Sequence, residues 1–185
     1  MSGGRIVLLN GASSAGKTSV AEALADVMPT PWLVIPVDLF HSIRSRPPQE
    51  NLSEAAWRET FRRTRSAYHH ALAGAAQAGC DVIGDHVLSE AWRLAELLDL
   101  TVELDVLLIH VTCSVDVLEQ RERRRSDRDV GTARAQASMV FAHGDCDLEV
   151  DTGGQSPREC AARVAQLIAS PPDVTAFERL RRRGR

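Results

Sequence analysis

The sequence predicts an α/β fold in which a parallel β-sheet lies between two layers of helices. The chain has 185 residues, a length that usually forms one domain. Short apolar runs alternate with longer segments of helical periodicity, and this alternation is typical of βα units. Residues 6–9 are all apolar, without the alternation of a half-exposed strand, which indicates a strand buried on both faces.

Five apolar runs and six amphipathic segments make up the predicted elements. The strands are predicted at residues 5–10, 32–37, 81–84, 105–111 and 147–150. The helices are predicted at residues 17–27, 53–78, 89–98, 115–125, 132–141 and 157–169. Right-handed crossovers bring the carboxyl ends of parallel strands to one edge of the sheet, where ligands bind. We expect one domain over residues 1–170 and a solvated, frayed basic tail over residues 171–185.

Composition excludes several classes of protein. The chain is 44% hydrophobic and 25% charged, as in ordinary globular proteins. It has no apolar stretch long enough to span a membrane and no recognisable secretory signal. Its net charge of −3 gives no indication of nucleic-acid binding, and its four dispersed cysteines favour reduced thiols. We therefore expect a cytoplasmic protein with neither nucleic-acid nor membrane partners; a homo-oligomer is compatible with the sequence.

A phosphate-binding motif follows the first predicted strand and opens the first predicted helix. Residues 11–18 match the pattern G-x-x-x-x-G-K-[ST], whose backbone N–H groups cradle phosphate oxygens. Lys17, which is the only lysine beside 21 arginines, should reach the β- and γ-phosphates, and Thr18 should hold Mg²⁺. The residues expected to bind the nucleotide here are Gly11, Ser13, Ser14, Ala15, Gly16, Lys17, Thr18 and Ser19.

The motif predicts a nucleotide but does not by itself choose a reaction. GTPases of the Ras type read guanine with an Asn-Lys-x-Asp motif, and Lys17 is the only lysine in the chain. ATP is therefore favoured as the nucleotide. Because the chain is also short for an oligomeric motor ATPase, the small kinases are the class that remains.

Two aspartates follow predicted strands at the phosphate-loop edge of the sheet. A small kinase needs a carboxylate that orients or deprotonates the acceptor hydroxyl, and Asp38, at the end of the second predicted strand, is the leading candidate. Its alternative role is the N-cap of a following helix. Asp85, at the end of the third strand, is expected to contact Mg²⁺ or the acceptor, with a structural role as the alternative. His86 is favoured as a structural residue or a pocket wall.

Three arginines are spaced to share one face of a helix after the fourth predicted strand. Arg121, Arg125 and Arg128 occupy positions i, i+4 and i+7. Small kinases carry a lid at this place, expected here over about residues 118–142, and aligned guanidinium groups there can clamp phosphates and neutralise transition-state charge. A solvated helix face is the alternative, and it is favoured for Arg123 and Arg124.

Four blocks of the sequence resemble the chloramphenicol phosphotransferase family. They are residues 9–18, the Pro31-Trp32-Leu33 block with Val37-Asp38, the block from Arg121 to Arg128, and Asp147-Leu-Glu-Val-Asp-Thr152. The resemblance implies a P-loop fold similar to nucleoside monophosphate kinases, with five parallel strands. It implies ATP-dependent phosphorylation of a hydroxyl on a small antibiotic. It also implies that Asp38 activates that hydroxyl, with Arg125 and Arg128 as lid residues near the phosphates.

The sequence departs from the family pattern in the region expected to shape the acceptor pocket. Residues 39–51 form a compact stretch that contains Arg44 and Arg46. Phe141 stands where the family tends to carry a histidine, and His143 follows two residues later. One alternative is therefore a kinase of a primary metabolite or nucleotide, in which Arg44 and Arg46 bind an anionic acceptor. A second alternative is a nucleotide-binding regulatory protein without phosphoryl transfer.

Overall fold

A single parallel sheet forms the centre of the molecule. The computed structural model describes residues 3–45, 52–124 and 131–184. Within these ranges the five strands have the spatial order β2-β3-β1-β4-β5. The strands are β1 (Ile6–Asn10), β2 (Leu33–Pro36), β3 (Val82–His86), β4 (Val106–Thr112) and β5 (Leu148–Asp151). Because β2 and β3 lie on one side of β1 and β4 and β5 on the other, the loop after β1 lies where a ligand crevice is expected.

Helices cover both faces of the sheet, which confirms the predicted three-layer α/β fold. In the described ranges they are α1 (Lys17–Val27), α2 (Val37–Ser42), α3 (Glu54–Gln77), α4 (Ala91–Leu100), α5 (Val115–Arg123), α6 (Thr132–Ala137), α7 (Pro157–Ala169) and α8 (Ala176–Arg183). On β1, Val7 and Leu9 belong to the apolar core that includes α1 and α7. Ile6 and Leu8 belong to the core that includes α3 and α8. The all-apolar run of β1 is therefore explained by burial on both faces.

The predicted end of the second strand is wrong. The sequence predicted a strand through Val37 with Asp38 at its end, whereas β2 ends at Pro36 and α2 begins at Val37. Pro36 has no backbone N–H to continue the ladder. The carboxylate of Asp38 is favoured in the first turn of a helix because the N-terminal end carries partial positive charge. Asp38 thus lies at the second position of α2, still at the phosphate-loop edge of the sheet.

The C-terminal segment also differs from its prediction, because it is a docked helix and not a frayed tail. Thr175 and Glu178 form a reciprocal capping box at the start of α8. The backbone N–H of Ala176 donates to the buried carboxylate of Asp147 over 2.6 Å. The side chains that α8 buries are Ala176, Phe177 and Leu180. The abundance of arginine in this segment concealed the helical spacing of these apolar residues.

The remaining helix ends lie within a few residues of the predicted ones. The predictions for α1 and α7 are confirmed, while α6 ends at Ala137 instead of residue 141. Among the helices described, none is both long enough and apolar enough for a membrane crossing.

Candidate active site

A cavity of about 420 Å³ opens at the carboxyl ends of the central strands. Eight of the predicted site residues line it, among them Lys17, Thr18, Asp38, Asp85 and Arg121. Ser14, Gly16 and Ser19 also line it, whereas Gly11, Ser13 and Ala15 form the buried part of the loop. Arg125 and Arg128, like Arg46, lie outside the described residues. The fold therefore brings together residues that are far apart in the chain.

The backbone of the phosphate-binding loop has the shape of an anion cradle. A Cβ atom on Gly11 would lie 2.3 Å from the carbonyl oxygen of Val111, so only glycine fits there. Ser14 and Gly16 have φ angles of 62° and 87°, in the left-handed region that Ser14 adopts only at an energetic cost. Alternation of left-handed and right-handed residues turns successive N–H groups toward one concave site. The left-handed backbone at Ser14 therefore fits a loop that is shaped to bind an anion.

One amide of the loop is engaged by a side chain from another part of the chain. The N–H of Ser13, predicted to face phosphate, donates to Oε1 of Gln136 over 2.8 Å. Gln136 belongs to α6, 123 residues further along the chain. This contact ties the segment after the arginine-rich helix to the phosphate loop. No sequence spacing signalled it, because it depends on the tertiary fold.

The ammonium group of Lys17 is held over the loop. It donates to the carbonyl oxygens of Gly11 at 3.0 Å and Ala12 at 2.9 Å, and Lys17 is 8% exposed. Lys17 is also the first residue of α1, whose N-terminal end carries partial positive charge. The positive charge and the helix end therefore favour the binding of a phosphate group.

Thr18 and Asp85 form a pair of oxygen donors suited to Mg²⁺. The Thr18 hydroxyl donates to Oδ2 of Asp85 over 2.9 Å, and the N–H of Val37 donates to Oδ1 over 3.1 Å. Because the hydroxyl proton points to Asp85, the lone pairs of the Thr18 oxygen are left for a cation. In the part of the chain that is described, no group of three or more His, Cys, Asp or Glu could hold a metal. Phosphate oxygens and water would therefore have to supply the other ligands of the ion, as is usual for Mg²⁺.

Asp38 is the carboxylate that a substrate can reach. The described lining of the cavity contains two carboxylates, Asp38 and Asp85. Asp85 is 5% exposed and already accepts two hydrogen bonds, whereas Asp38 is exposed. The geometry thus favours Asp38 over Asp85 as a proton acceptor.

Arg121 is fixed against the phosphate loop by several hydrogen bonds. Its guanidinium donates to the carbonyl oxygen of Thr152 at 2.7 Å, to the Thr152 hydroxyl at 3.0 Å and to the carbonyl oxygen of Ser14 at 3.4 Å. The Thr152 hydroxyl in turn donates to the carbonyl oxygen of Ala15 over 2.7 Å. A Cβ atom on Gly16 would lie 3.5 Å from Nη1 of Arg121. Arg121 therefore connects α5, the loop and the turn after β5.

The sequence reasoning missed one arginine that lines this cavity and another that lies near Asp38. Arg124, which was expected to be solvated, lines the cavity although it is exposed. Arg65 of α3 lies close enough to Asp38 for the aspartate charge to raise the pKa of its guanidinium, against the stronger lowering by burial. The spacing of Arg121 from the following arginines predicted which face of α5 it occupies. No pattern in the sequence predicted that α3, which carries Arg65, would lie beside Asp38.

His86 and three of the thiols have structural environments. Nε2 of His86 lies 2.9 Å from Nε2 of His69, and burial lowers the pKa of His86 well below its ordinary value. This agrees with the structural interpretation of His86. The four cysteines are free thiols, and burial raises the pKa of Cys113, Cys146 and Cys160.

Comparison with known proteins identifies relatives over almost the whole chain. Residues 4–169 match the family model described as chloramphenicol phosphotransferase-like protein. A Mycobacterium tuberculosis protein with a provisional O-phosphotransferase name is 30% identical over an alignment of 203 residues. That alignment spans 97% of this chain and 89% of the relative.

Solved structures of kinases share the fold. An APS kinase from Mycobacterium tuberculosis, in complex with AMPPNP and APS, is 19% identical with a TM-score of 0.66, over 92% of this chain and 100% of that one. A sugar kinase from Janibacter is 20% identical with a TM-score of 0.64, over 91% of this chain and 96% of that one. At such identities the likeness shows the fold alone, and that fold is the one of P-loop kinases.

Proposed function

Because the chain belongs to the chloramphenicol phosphotransferase-like family, we propose that it transfers the γ-phosphoryl group of ATP to a hydroxyl of a small molecule. The family and the fold support a kinase-type phosphotransferase. One observation carries the proposal further: the exposed carboxylate of Asp38 shares a cavity with the whole exposed part of the phosphate loop. Nucleotide binding alone needs the loop, whereas transfer to a hydroxyl also needs a proton acceptor.

The proposed reaction is a single displacement at the γ-phosphorus. The acceptor hydroxyl gives its proton to Asp38, and its oxygen forms a bond to the γ-phosphorus. The bond from that phosphorus to the bridging oxygen breaks, and ADP leaves with the electron pair. Lys17 and the inward-facing loop amides bind phosphate oxygens and stabilise the charge that develops on them. Arg121 adds positive charge at the same loop.

The Thr18 and Asp85 pair fits a magnesium ion that accompanies the nucleotide. Thr18 would hold the ion through its hydroxyl oxygen, and Asp85 would orient that hydroxyl and favour the cation by its charge. When bound, Mg²⁺ neutralises charge on the β- and γ-phosphate oxygens. The contribution of Arg125 and Arg128, and a lid over about residues 118–142, remain predictions.

The acceptor is proposed to be a small, antibiotic-like molecule with a free hydroxyl. The family name makes chloramphenicol the first compound to test. A primary-metabolite or nucleotide acceptor is the alternative, and Arg44, beside α2 and α3, is the residue that favours it because a cation there suits an anionic acceptor.

The test is a search for a phosphorylated product. The protein is incubated with ATP, Mg²⁺ and a pool of hydroxylated antibiotics, chloramphenicol included, and primary metabolites. Mass spectrometry then looks for one added phosphoryl group, with a Lys17→Met variant as the control for contaminating kinases. We expect one compound to be modified by the wild type only. ATP binding without any modified compound would contradict phosphoryl transfer and favour a regulatory protein.

A further inference from the structure

A second cavity, of about 470 Å³, opens between α3 and the start of α4. Its described lining contains four arginines, two glutamates and the rings of Phe61 and Trp92. The lining therefore carries a surplus of two positive charges beside an aromatic surface. Such a surface suits a ligand that combines a negative group with an apolar or ring-shaped part.

Among the described residues, Arg65 differs from the other arginines of this cavity because it forms no ion pair. In the described chain each of the other three has a carboxylate within 4.0 Å, and the pairs are Arg58 with Glu54, Arg62 with Glu59 and Arg93 with Glu90. No carboxylate of the described residues comes that close to Arg65, which is half-buried in the middle of α3. A partly desolvated cation that has no carboxylate within ion-pair distance is costly, and a bound anion would reduce that cost.

Arg44 presents a second guanidinium from the chain just after α2. It lies 4.5 Å from the ring centre of Phe61, and it donates to the Thr64 hydroxyl over 3.3 Å. Its Nε is buried and has no hydrogen-bond partner within the described ranges. Arg65 lies 6.0 Å from the same Phe61 ring, and the positive charge of Arg44 contributes to the lowered pKa of Arg65. Two arginines thus share one aromatic ring and repel each other.

The packing of α2 on α3 brings Arg65 to the face of α3 that meets the helix carrying Asp38. Phe61, Arg65 and Tyr68 occupy positions i, i+4 and i+7, so they share one face of α3. On that face His41 of α2 packs against Phe61, with ring centres 5.6 Å apart. Phe40 packs against Tyr68 at the same separation of 5.6 Å. Arg65 lies between these two contacts and therefore faces the helix that carries Asp38.

We propose that Arg65 and Arg44 bind an anionic group of the acceptor, a carboxylate or a phosphate monoester, while the acceptor hydroxyl faces Asp38. This inference rests on the proposed transfer to a hydroxyl and, among its acceptors, favours the alternative of an anionic primary metabolite or nucleotide over an uncharged antibiotic. Guanidinium groups bind both kinds of anion through paired, charge-assisted hydrogen bonds. Phe61 lies beside both arginines and would supply an apolar surface for the acceptor. Chloramphenicol, which carries no anionic group, should then be a poor acceptor.

Ligand binding tests the inference independently of turnover. Thermal unfolding of the full chain is measured in saturating ADP and Mg²⁺ with two sets of compounds. Hydroxy carboxylates such as shikimate and gluconate form one set, and sugar phosphates such as glucose 6-phosphate form the other. Each acid is compared with an uncharged counterpart, namely methyl shikimate or glucose, and chloramphenicol is added as a further uncharged compound. The two sets distinguish a carboxylate site from a phosphate site.

Two arginine variants locate the binding site. In Arg65→Met we expect the affinity for the stabilising acid to fall about tenfold to a hundredfold. Arg63→Met is the matched control, because Arg63 lies on the same helix, is exposed and already pairs with Glu59 at 2.8 Å. We expect the control to bind the acid like the wild type. Unfolding curves without ligand verify that both variants fold.

Three results would overturn the inference. The first is that no acid stabilises the wild type, and the second is that acids and uncharged counterparts stabilise it equally. The third is an Arg65→Met variant that binds the acid like the wild type. If Arg65 only positions Asp38, its loss would slow transfer to charged and uncharged acceptors alike, which would also count against an anion site.

Failure of this inference is distinguishable from failure of the proposed function. Transfer to an uncharged hydroxyl compound, unaffected by Arg65→Met, would leave the proposed function standing and overturn the anion site. Acid binding that depends on Arg65, but without any phosphorylated product, would support the anion site and contradict phosphoryl transfer.

Discussion

The buried carboxylate of Asp85 provides a sharp test of the proposed magnesium site. Both of its oxygens are engaged, one by the Val37 N–H and one by the Thr18 hydroxyl. In Asp85→Asn the amide has one oxygen acceptor and one NH₂ donor. If the oxygen stays with Val37, the NH₂ group faces Thr18 and the hydrogen bond reverses. The Thr18 oxygen then accepts a hydrogen bond from the amide, which occupies a lone pair that Mg²⁺ would use.

The size of the effect follows from the bonds that change. Both hydrogen bonds persist but now involve a neutral amide instead of a carboxylate, and this weakening should cost about 1–2 kcal/mol of unfolding free energy. Loss of a group that orients a metal ligand should weaken Mg²⁺ binding about tenfold to a hundredfold. Urea unfolding measures the first quantity, and titration of a fluorescent ATP analogue with Mg²⁺ measures the second.

A matched aspartate at the opposite end of the same strand provides the control. Asp81 accepts the Arg5 N–H over 2.9 Å just before β3, and Asp81→Asn can keep that bond. We expect Asp81→Asn to leave the Mg²⁺ dependence of nucleotide binding unchanged. An Asp85→Asn variant with the Mg²⁺ dependence of the wild type would refute the assignment of Thr18 and Asp85 to the metal.

Two further predictions concern stability. Phe177 is 1% exposed, so Phe177→Ala should lower the free energy of unfolding, measured in urea, by about 3–5 kcal/mol. Arg182→Ala, on the exposed side of α8, should change that free energy by about 0.5 kcal/mol at most. Equal midpoints would contradict the docking of α8. Burial, and to a lesser degree His143, lowers the pKa of His110 to about 4 from 6.5. As the pH falls, His110 of the unfolded chain becomes protonated near pH 6.5, whereas His110 of the folded chain does so only near pH 4. The free energy of unfolding should therefore fall by about 3 kcal/mol as the pH falls from 6.5 to 4. His110→Gln should remove that loss, and a pH profile parallel to the wild type would contradict it.

Much of the fold followed from local patterns in the sequence. The five apolar runs correspond to five strands, because a strand buried on both faces must be apolar at consecutive positions. The differences arise where two local signals compete. Pro36 ended β2 before Asp38, and the arginines of α8 concealed the spacing of Phe177 and Leu180.

The phosphate side of the site was predictable because its residues are contiguous. Lys17 and Thr18 belong to one motif that must close around an anion. The surroundings of Asp38 were not predictable in this way, because Arg65 comes near Asp38 only when α3 packs against α2. Gln136 likewise contacts Ser13 only in the folded chain.

The rate of phosphoryl transfer in Asp38→Asn tests the central claim most directly. The substitution keeps the size of the side chain and removes the proton acceptor. With the acceptor that mass spectrometry identifies, single-turnover transfer from ATP should slow about 10²–10⁴-fold, the usual contribution of a general base. Nucleotide affinity, measured in the same preparation, should stay at the wild-type value. Transfer at the wild-type rate would contradict the assignment of Asp38 as the base.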